Sequence, residues 1–320
     1  METANEKKTY LVTGGAGFVG SHMCEKLIAM GHQVICFDNL STGKLENLSA
    51  LSNNPHFTFI KGDANKLSDI EPVFKDHQLN GVFHYAAVVG VKRTIENPLM
   101  VLEDVNGIKN VLELALANGK PKVVFSSSSE VYGDPIELPE KEDGAVNPKI
   151  PYAVVKLMGE QLLEAYWKKY GLKTCALRFF NIYGPRQEGS DYGFVVGIFI
   201  KQVLAGKCPT VFGDGSQTRD FVYIEDNIEA SVRAMELDSS NGQVINIGTG
   251  RPLTIYDLAN KVIDCAGKKG LLQPELVPTN RIDVKHRFPE VGKMIRILNY
   301  HPAVSLEEGL KKILSFYVKR

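Results

Sequence analysis

The sequence predicts an α/β protein in which helices cover both faces of a doubly wound parallel sheet, followed by a smaller, mixed α/β lobe. Three observations lead to this fold class. Short β-rich runs alternate with helical patterns through the first 180 residues, and strands that alternate with helices form right-handed βαβ units. A glycine-rich turn follows the first β-rich run directly. The alternation loosens after Asn181, where a loop-rich segment begins.

The elements of the first part follow from hydrophobic periodicity. Apolar residues at helical spacing predict helices over Val19–Met30, Met100–Ala117 and Tyr152–Lys169. Short runs rich in β-branched and aromatic residues predict six strands, which are Tyr10–Thr13, Gln33–Asp38, Phe57–Lys61, Gly81–Tyr85, Lys122–Ser126 and Thr174–Phe179.

The later part of the chain is predicted to form a second lobe. Its loops contain turn-forming pairs such as Gly184-Pro185. A strand-like run at Gln243–Ile247 indicates that the chain returns to the main sheet, and helical patterns recur at Tyr256–Ala266 and Leu306–Tyr317. We expect a sheet domain over residues 1–180 with a return segment at about 221–250, and a lobe made of residues 181–220 and 251–320.

The composition excludes several classes of protein. Among the 320 residues, 37 lysines and arginines balance 37 aspartates and glutamates, so the basic excess of a nucleic-acid-binding protein is missing. No apolar run approaches the ~20 residues that span a bilayer, and the polar N-terminus lacks the apolar stretch of a signal peptide. The five cysteines are scattered without metal-ligand spacing. We expect a cytoplasmic protein with reduced thiols, no metal site, and no nucleic-acid or membrane partner.

The glycine-rich turn predicts a dinucleotide site. Gly14, Gly17 and Gly20 are spaced GxxGxxG from the end of the first strand into the following helix, which Phe18 and Val19 open. Glycine allows the turn to be tight and the backbone to approach a pyrophosphate, which then lies at the positive N-terminus of the helix. Glycine-rich turns also occur in loops that bind no phosphate. Here strand, turn and helix occur in the order of a Rossmann-type fold.

The ends of the following strands supply further cofactor candidates. Asp38, with Asn39 beside it, ends the second strand 18 residues after Gly20. A carboxylate there accepts hydrogen bonds from the adenine ribose and repels a 2′-phosphate, which predicts NAD rather than NADP. The third strand is followed by Asp63 and Ala64, and the fourth by Ala86 and Ala87. Small residues leave room for a flat ring, although the two alanines are equally consistent with ordinary packing between helix and sheet.

A tyrosine and a lysine provide the candidate chemistry. Tyr152 and Lys156 are spaced YxxxK, and residues four apart share one face of a helix. A nearby ammonium group favours the phenolate and lowers a tyrosine pKa that is normally about 10. The pair would then act as a general base on a sugar hydroxyl. An exposed lysine beside an amphipathic tyrosine is the structural alternative.

Together these segments resemble the extended short-chain dehydrogenase/reductases, and within them the nucleotide-sugar epimerase/dehydratase family. The resemblance covers nearly the whole chain and is carried by TGGAGFVGSH, DNLSTG, HYAA, SSSSEVYG, PYAVVK, RFFNIYGPRQ, GDGSQTRDFVYIED and VSLEEGL. It implies a bound NAD, Tyr152 as the base, and Lys156 as its partner and a ligand of the nicotinamide ribose. It also implies that Ser128 binds the 4-hydroxyl of the sugar, whereas the other three serines have structural roles.

The resemblance also implies residues that bind the nucleotide diphosphate. Asn181 and Arg219 match two such positions, and Arg281 is a further candidate although its segment, TNRID, departs from the usual RPGD. The chain departs from the family pattern at three other positions. Val155 stands where a small residue is usual, Tyr85 where Leu is frequent, and Asp104 where Asn is common. The predicted helices Met100–Ala117 and Tyr152–Lys169 resemble those of the family's four-helix dimer interface, so we expect a homodimer.

Glu130 leaves the reaction open among members of the family. By resemblance, simple 4-epimerases usually have an uncharged residue there, 4,6-dehydratases an Asp-Glu pair, and decarboxylases Ser-Glu, as in Ser129-Glu130. Glu130 would either reach the sugar or accept hydrogen bonds from neighbouring loop N–H groups. The favoured expectation is a 4-epimerase that acts on a UDP-sugar. The alternatives are a 4,6-dehydratase, a UDP-glucuronate decarboxylase that uses Glu130, or a non-catalytic NAD-binding protein.

Overall fold

The computed structural model describes residues 6–89, 94, 96–187, 194–279 and 284–318. The strands of these residues are β1 (Thr9–Thr13), β2 (Gln33–Asp38), β3 (Phe57–Lys61), β4 (Gly81–His84), β5 (Lys122–Ser128), β6 (Thr174–Phe179), β7 (Asn181–Tyr183), β8 (Thr210–Phe212), β9 (Thr218–Tyr223), β10 (Gln243–Ile247), β11 (Pro252–Thr254), β12 (Glu275–Val277) and β13 (His286–Arg287).

The α-helices of the described residues are α1 (Phe18–Ala29), α2 (Leu67–Asp76), α3 (Pro98–Leu102), α4 (Asp104–Ala117), α5 (Pro151–Tyr170), α6 (Val195–Leu204), α7 (Ile224–Glu236), α8 (Ile255–Cys265), α9 (Gly292–Leu298) and α10 (Leu306–Val318). Within the same ranges, no helix is both long enough and apolar enough to cross a membrane.

Seven parallel strands form the central sheet, in the order β10-β6-β5-β4-β1-β2-β3. The chain runs outward from β1 through β2 to β3 and then crosses to β4 on the other side of β1. The order therefore reverses between β1 and β4, and ligands of open parallel sheets bind at the carboxyl ends of the strands at such a point.

Helices cover both faces of the sheet because its strands carry apolar side chains on both sides. In β1, Tyr10 and Val12 belong to one buried cluster and Leu11 to another, as the alternation of a strand requires. Apolar residues of α1 and α7 complete the first cluster, and those of α2, α4 and α5 complete the second. The predicted doubly wound parallel fold is confirmed.

The second lobe is built around β9. This strand pairs in parallel with β7 and β13 and antiparallel with β11, while β8 and β12 form a separate pair. Asp226 in α7 accepts hydrogen bonds from the backbone N–H groups of Ala303 at 2.8 Å and Val304 at 3.1 Å. This buried carboxylate ties the segment before α10 to a helix of the central sheet.

Three differences from the sequence predictions concern the extent of elements. The predicted helix Met100–Ala117 is divided at Glu103 into α3 and α4. Strand β5 continues two residues beyond Ser126 and ends at Ser128. Its serine hydroxyls can be buried there because side-chain and backbone groups form hydrogen bonds with them. The helices α2, α6, α7 and α9 were not predicted. Of these, α2 contains Pro72, which obscures its helical pattern.

Candidate active site

The glycine-rich turn lies at the carboxyl end of β1 and is packed too closely for larger residues. Gly14 has a φ of +68° and donates a hydrogen bond of 2.8 Å to the carbonyl oxygen of Phe37. A Cβ on Gly14 would lie 2.7 Å from the nitrogen of Ala86, and a Cβ on Gly20 would lie 2.1 Å from the oxygen of Gly14. Gly17 directly precedes Phe18, the first residue of α1. The turn therefore presents bare backbone at a helix N-terminus, which fits a pyrophosphate.

Asp38 lies buried beside this turn, at the end of β2. Its carboxylate accepts hydrogen bonds from the backbone N–H groups of Ala16 at 3.0 Å and Leu40 at 2.7 Å. Burial raises the pKa of Asp38, and the two backbone hydrogen bonds partly oppose this effect. Asn39 is exposed, and its side chain accepts a hydrogen bond from the N–H of Ser41 at 2.9 Å. The fixed carboxylate suits the ribose hydroxyls of a dinucleotide.

The predicted residues that follow β3 and β4 lie at the same edge of the sheet. The side chain of Asp63 accepts a hydrogen bond from the N–H of Asn65 at 3.0 Å, and Ala64 is buried. Ala86 packs its backbone against Gly14, so at least this alanine has a packing role. Because β4, β1, β2 and β3 are neighbours, the candidate cofactor residues lie at adjacent strand ends, where open parallel sheets bind ligands in a crevice, and the glycine cradle and the acid fit NAD.

The serines of β5 have different partners. Ser126 donates to the carbonyl oxygen of His84 at 3.4 Å and accepts from the ammonium group of Lys156 at 3.3 Å. Ser127 donates to Glu160, which also forms a buried ion pair with Arg178. Sequence reasoning missed the contact of Ser126 with Lys156, since nothing in a run of four identical residues distinguishes one from another.

Ser128 lies at the end of β5, where a 3₁₀ turn over Ser129–Tyr132 begins. Its hydroxyl oxygen accepts a hydrogen bond of 3.2 Å from the N–H of Glu130. Burial raises the pKa of Tyr152, and a hydrogen bond with Ser128 opposes this shift. The predicted serine and tyrosine are therefore close enough to interact.

Lys156 lies one helical turn after Tyr152 in α5, with only 2% of its surface exposed. Its ammonium group lies 4.7 Å from the centre of the Phe125 ring and 5.5 Å from that of Tyr152. Burial lowers the pKa of Lys156 to about 8, and the carboxylate of Asp104 opposes this shift. Burial therefore makes the ammonium form of Lys156 easier to deprotonate, and the negative charge of Asp104 partly restores it.

The pKa of Tyr152 differs from the sequence expectation. We expected Lys156 to lower it, whereas burial raises it well above its ordinary value, with smaller contributions in the same direction from Glu130 and Asp104. Desolvation disfavours the phenolate, and in this structure it outweighs the other effects. Nearby His84 stays neutral, because burial and the charge of Lys156 lower its pKa to about 3.

Glu130 is paired with an arginine that the sequence did not indicate. The guanidinium group of Arg287, in β13, contacts the carboxylate of Glu130 and donates to the carbonyl oxygen of Gly133 at 2.9 Å. The Nε atom of Arg287 lies 3.9 Å from the buried carboxylate of Glu140. Burial raises the pKa of Glu140 to about 8, and Arg287 opposes this shift. The pair differs from both readings considered for Glu130, which were contact with sugar and hydrogen bonds from loop N–H groups.

The predicted diphosphate residues lie on neighbouring strands of the second lobe. Asn181 begins β7, and Arg219 lies buried in β9, where it donates to the carbonyl oxygen of Thr218 at 2.8 Å. Arg219 and Arg287 are paired positions of β9 and β13. The two arginines therefore occupy neighbouring positions on adjacent strands, and Arg287 contacts Glu130 in the turn that follows β5. Arg281 lies outside the described residues.

Comparison with known proteins supports the same family. The model of the NAD dependent epimerase/dehydratase family matches residues 10–248. A UDP-glucose 4-epimerase from Mycolicibacterium smegmatis is 36% identical over 309 residues, which cover 96% of this chain and 97% of the relative. A UDP-N-acetyl-alpha-D-glucosaminuronate decarboxylase from Bacillus cytotoxicus is 36% identical over 322 residues, covering 97% and 98% of the two chains.

A solved structure agrees over nearly the whole chain. The UDP-glucose 4-epimerase of Thermotoga maritima, solved with UDP-glucose, superimposes with a TM-score of 0.91 at 36% identity and covers 97% of this chain and 99% of its own. The matched range contains the glycine-rich turn, Ser128, Tyr152 and Lys156. With its NAD-type cradle and this extent of similarity, the chain belongs to the NAD-dependent epimerase/dehydratase family.

Proposed function

We propose that this protein is a NAD-dependent nucleotide-sugar 4-epimerase whose substrate is UDP-linked. The observation that carries the proposal is the clustering of Tyr152 with Lys156, whose ammonium group lies 5.5 Å from the tyrosine ring, and with Ser128 at the carboxyl end of β5. With NAD bound, the hydroxyl groups of Ser128 and Tyr152 and the ammonium group of Lys156 are sufficient for reversible oxidation of the sugar at C4. Epimerisation requires no further group on the protein.

Each side chain has a distinct task in this reaction. Bound NAD supplies a hydride acceptor and donor. Ser128 and Tyr152 hold the 4-hydroxyl of the sugar, and Tyr152 takes its proton as the C4–H bond breaks and a 4-keto sugar forms. Tyr152 must be a phenolate to take this proton, and the ammonium group of Lys156 stabilises that phenolate before the transfer. Tyr152 then returns the proton to O4 as C4 regains hydride on its opposite face, so substrate and product have the same oxidation state.

The second lobe offers charge for a nucleotide diphosphate. Arg219 and Arg287 lie side by side in β9 and β13, and Asn181 begins the strand on the other side of β9. Guanidinium groups bind phosphate oxygens in bidentate geometry. We assign Asn181 and Arg219 to the diphosphate, and Arg281 remains a further candidate. The UDP-linked substrates named for the two relatives support uracil as the base.

Decarboxylation of a UDP-uronic acid is a second candidate, favoured by the Glu130–Arg287 pair next to Ser128. Oxidation at C4 would turn a uronic acid into a β-keto acid. The C5–C6 bond then breaks with release of carbon dioxide, C5 takes a proton, and the ketone regains hydride. In this candidate reaction Glu130 would supply the proton, and Arg287 would hold the carboxylate of the sugar. A 4,6-dehydratase is less well supported, because Ser129 stands where those enzymes have Asp.

Product analysis by NMR distinguishes these reactions. The enzyme is incubated in D₂O with UDP-, dTDP-, CDP- and GDP-sugars, including UDP-glucuronate. A 4-epimer of a UDP-sugar that keeps its hydrogen at C5 supports the main proposal. Carbon dioxide released from UDP-glucuronate, with deuterium at C5, supports the second candidate instead. Retained NAD without any turnover would indicate a non-catalytic NAD-binding protein.

Glu130→Gln separates the two candidate roles of the glutamate. The amide keeps the size of the side chain and its contact with Arg287 but cannot transfer a proton. A 4-epimerase retains turnover in this variant, whereas a decarboxylase that relies on Glu130 loses about 10²-fold or more. Glu137→Gln in the following exposed loop is the matched control.

An exposed apolar surface on α3 and α5 supports a homodimer. Leu99, Met100 and Leu102 of α3 and Val154 and Met158 of α5 are exposed, with 77% of Leu99 accessible. Large contiguous apolar patches usually mark an interface. We assign this surface to a second copy of the chain. The five free thiols support a reducing compartment such as the cytoplasm.

A further inference from the structure

A buried carboxylate outside the Ser128–Tyr152–Lys156 group connects two loops of the cofactor crevice. Asp104, at the start of α4, accepts a hydrogen bond of 2.7 Å from the N–H of Val88, which follows β4. Its other oxygen accepts a hydrogen bond of 3.2 Å from the side chain of Asn65, which follows β3. The carboxylate thus joins the loop that contains Ala86 to the loop that contains Asp63.

Asn65 completes this connection from the other side. Its side-chain oxygen accepts a hydrogen bond of 3.0 Å from the N–H of Gly107, one turn into α4. A Cβ at Gly107 would lie only 2.6 Å from that oxygen, so the glycine makes the contact possible. The orientation of the Asn65 amide is determined by these two bonds, with its NH₂ group toward Asp104 and its oxygen toward α4.

The same carboxylate also acts electrostatically on the lysine of the active site. Helix α4 lies between α2 and α5 on one face of the sheet, and Lys156 is on α5. Both Asp104 and Lys156 are buried, and the charge of Asp104 raises the pKa of Lys156 against the effect of burial. The other titratable groups around the two are Tyr152, neutral His84 and Asp63, with Glu130 acting on Tyr152.

We propose that Asp104 is a positioning residue that holds the two cofactor loops together and supplies the fixed negative charge that acts on Lys156. The residue is Asp where the family commonly has Asn, so this charge is a property of this chain. An asparagine would keep one acceptor for Val88 but would turn an NH₂ group toward that of Asn65. Any effect of Asp104 on catalysis rests on the function proposed above. Its effects on the two loops and on the pKa of Lys156 do not depend on that function.

A pair of variants separates the hydrogen bonds from the charge. Asp104→Asn removes the charge and one hydrogen bond. The double variant Asn65→Asp with Asp104→Asn restores every bond, because the new amide donates to the new carboxylate, which still accepts from Gly107. The negative charge then lies in the loop before α2, on the side of α4 away from α5. Both variants are isosteric with the natural pair.

Two measurements on the full chain report the two effects. Calorimetry measures NAD affinity. The NMR titration of ¹³C-labelled lysine, with the Lys156 signal assigned by its absence in Lys156→Met, measures the pKa of Lys156 without turnover. Asp104→Asn should bind NAD about tenfold more weakly, the scale of one buried hydrogen bond, and Lys156 should lose its proton at lower pH. The double variant should recover NAD affinity while the lysine pKa stays low.

Other outcomes would overturn the proposal. If the double variant also restores the lysine pKa, the position of the charge is irrelevant and Asp104 has only a structural role. If Asp104→Asn changes neither NAD affinity nor the lysine pKa, both parts are wrong. A panel of sugars without turnover would instead contradict the proposed function and leave these binding and titration results interpretable. With an active enzyme, the alkaline limb of the pH profile of kcat/KM should follow the lysine pKa in both variants.

Discussion

The ammonium group of Lys156 donates a hydrogen bond of 3.3 Å to the hydroxyl of Ser126, the first serine of the SSSS stretch. The third serine, Ser128, has a different task, since it interacts with Tyr152. One strand end therefore orients both the tyrosine and the lysine of the proposed active site. The contact of Ser126 restricts the ammonium group to the side of α5 that faces the sheet.

We expect Ser126→Ala to lower kcat about tenfold, because Lys156 loses the hydroxyl that orients it. Ser128→Ala should cause a larger loss, since this hydroxyl contacts the sugar in the proposed mechanism. Ser129→Ala, in the same stretch, is the control and should keep most of the activity. Steady-state kinetics of the three variants test the order. Equal losses in Ser126→Ala and Ser129→Ala would contradict a specific role for Ser126.

Tyr152→Phe should lower turnover about 10²-fold or more, the usual scale for loss of a general base. The ring remains in place and only the hydroxyl is removed, so NAD affinity should be nearly unchanged. Stopped-flow kinetics and calorimetry measure the two quantities. Lys156→Ala is the informative comparison, because it should impair both turnover and NAD binding. Near-normal kcat in Tyr152→Phe would show that another group takes the proton.

The wild-type protein should bind NAD much more tightly than NADP, because the buried carboxylate of Asp38 repels a 2′-phosphate. Asp38→Asn removes the charge and keeps an acceptor for only one of the two backbone N–H groups, those of Ala16 and Leu40, that bond to the carboxylate. This variant should bind NAD more weakly and discriminate less between the two cofactors. Calorimetric titration with each dinucleotide measures the preference. Equal affinity of the wild-type protein for both would refute the assignment of Asp38.

Glu140 should make the protein less stable as the pH rises. Its pKa is raised to about 8 in the folded protein from an ordinary 4.5, so between these values the folded state binds more protons than the unfolded state. The free energy of unfolding therefore falls across this window. Glu140→Gln should raise the free energy of unfolding above about pH 8 by at least about 1.4 kcal/mol, the value of one pKa unit.

Urea unfolding of Glu140→Gln and of the wild-type protein at several pH values measures this effect. Glu137→Gln, on the same loop but exposed, provides the control and should follow the wild type. A difference between Glu140→Gln and wild type that does not grow with pH would mean that Glu140 stays ionised when folded.

Leu99→Glu should convert the proposed homodimer into a monomer, because it places a charge in the exposed apolar surface of α3 and α5. Leu271→Glu in the second lobe is the matched control, since 75% of Leu271 is exposed compared with 77% of Leu99. Size-exclusion chromatography with light scattering measures the molar mass. A monomeric wild-type protein, or a dimer that persists in Leu99→Glu, would rule out this interface.

The parts of the site that the sequence alone determined lie within short segments of regular backbone. Gly14, Gly17 and Gly20 belong to one strand–turn–helix unit, in which the spacing of glycines already implies where a pyrophosphate would lie. Tyr152 and Lys156 are one helical turn apart, so their common face follows from helix geometry. The parallel direction of the strands follows as well, because alternating strands and helices allow few other topologies.

Only the tertiary structure decided which charges meet around that framework. Glu130 and Arg287 are 157 positions apart. Asp104 accepts a hydrogen bond from Asn65 in the loop before α2, and its charge acts on Lys156 in α5. No local periodicity encodes such contacts, since they depend on how the second lobe and the helices pack on the sheet. The raised pKa of Tyr152 has the same origin. Burial is a property of the packed molecule, and it outweighs the effect that the spacing of Tyr152 and Lys156 alone would predict.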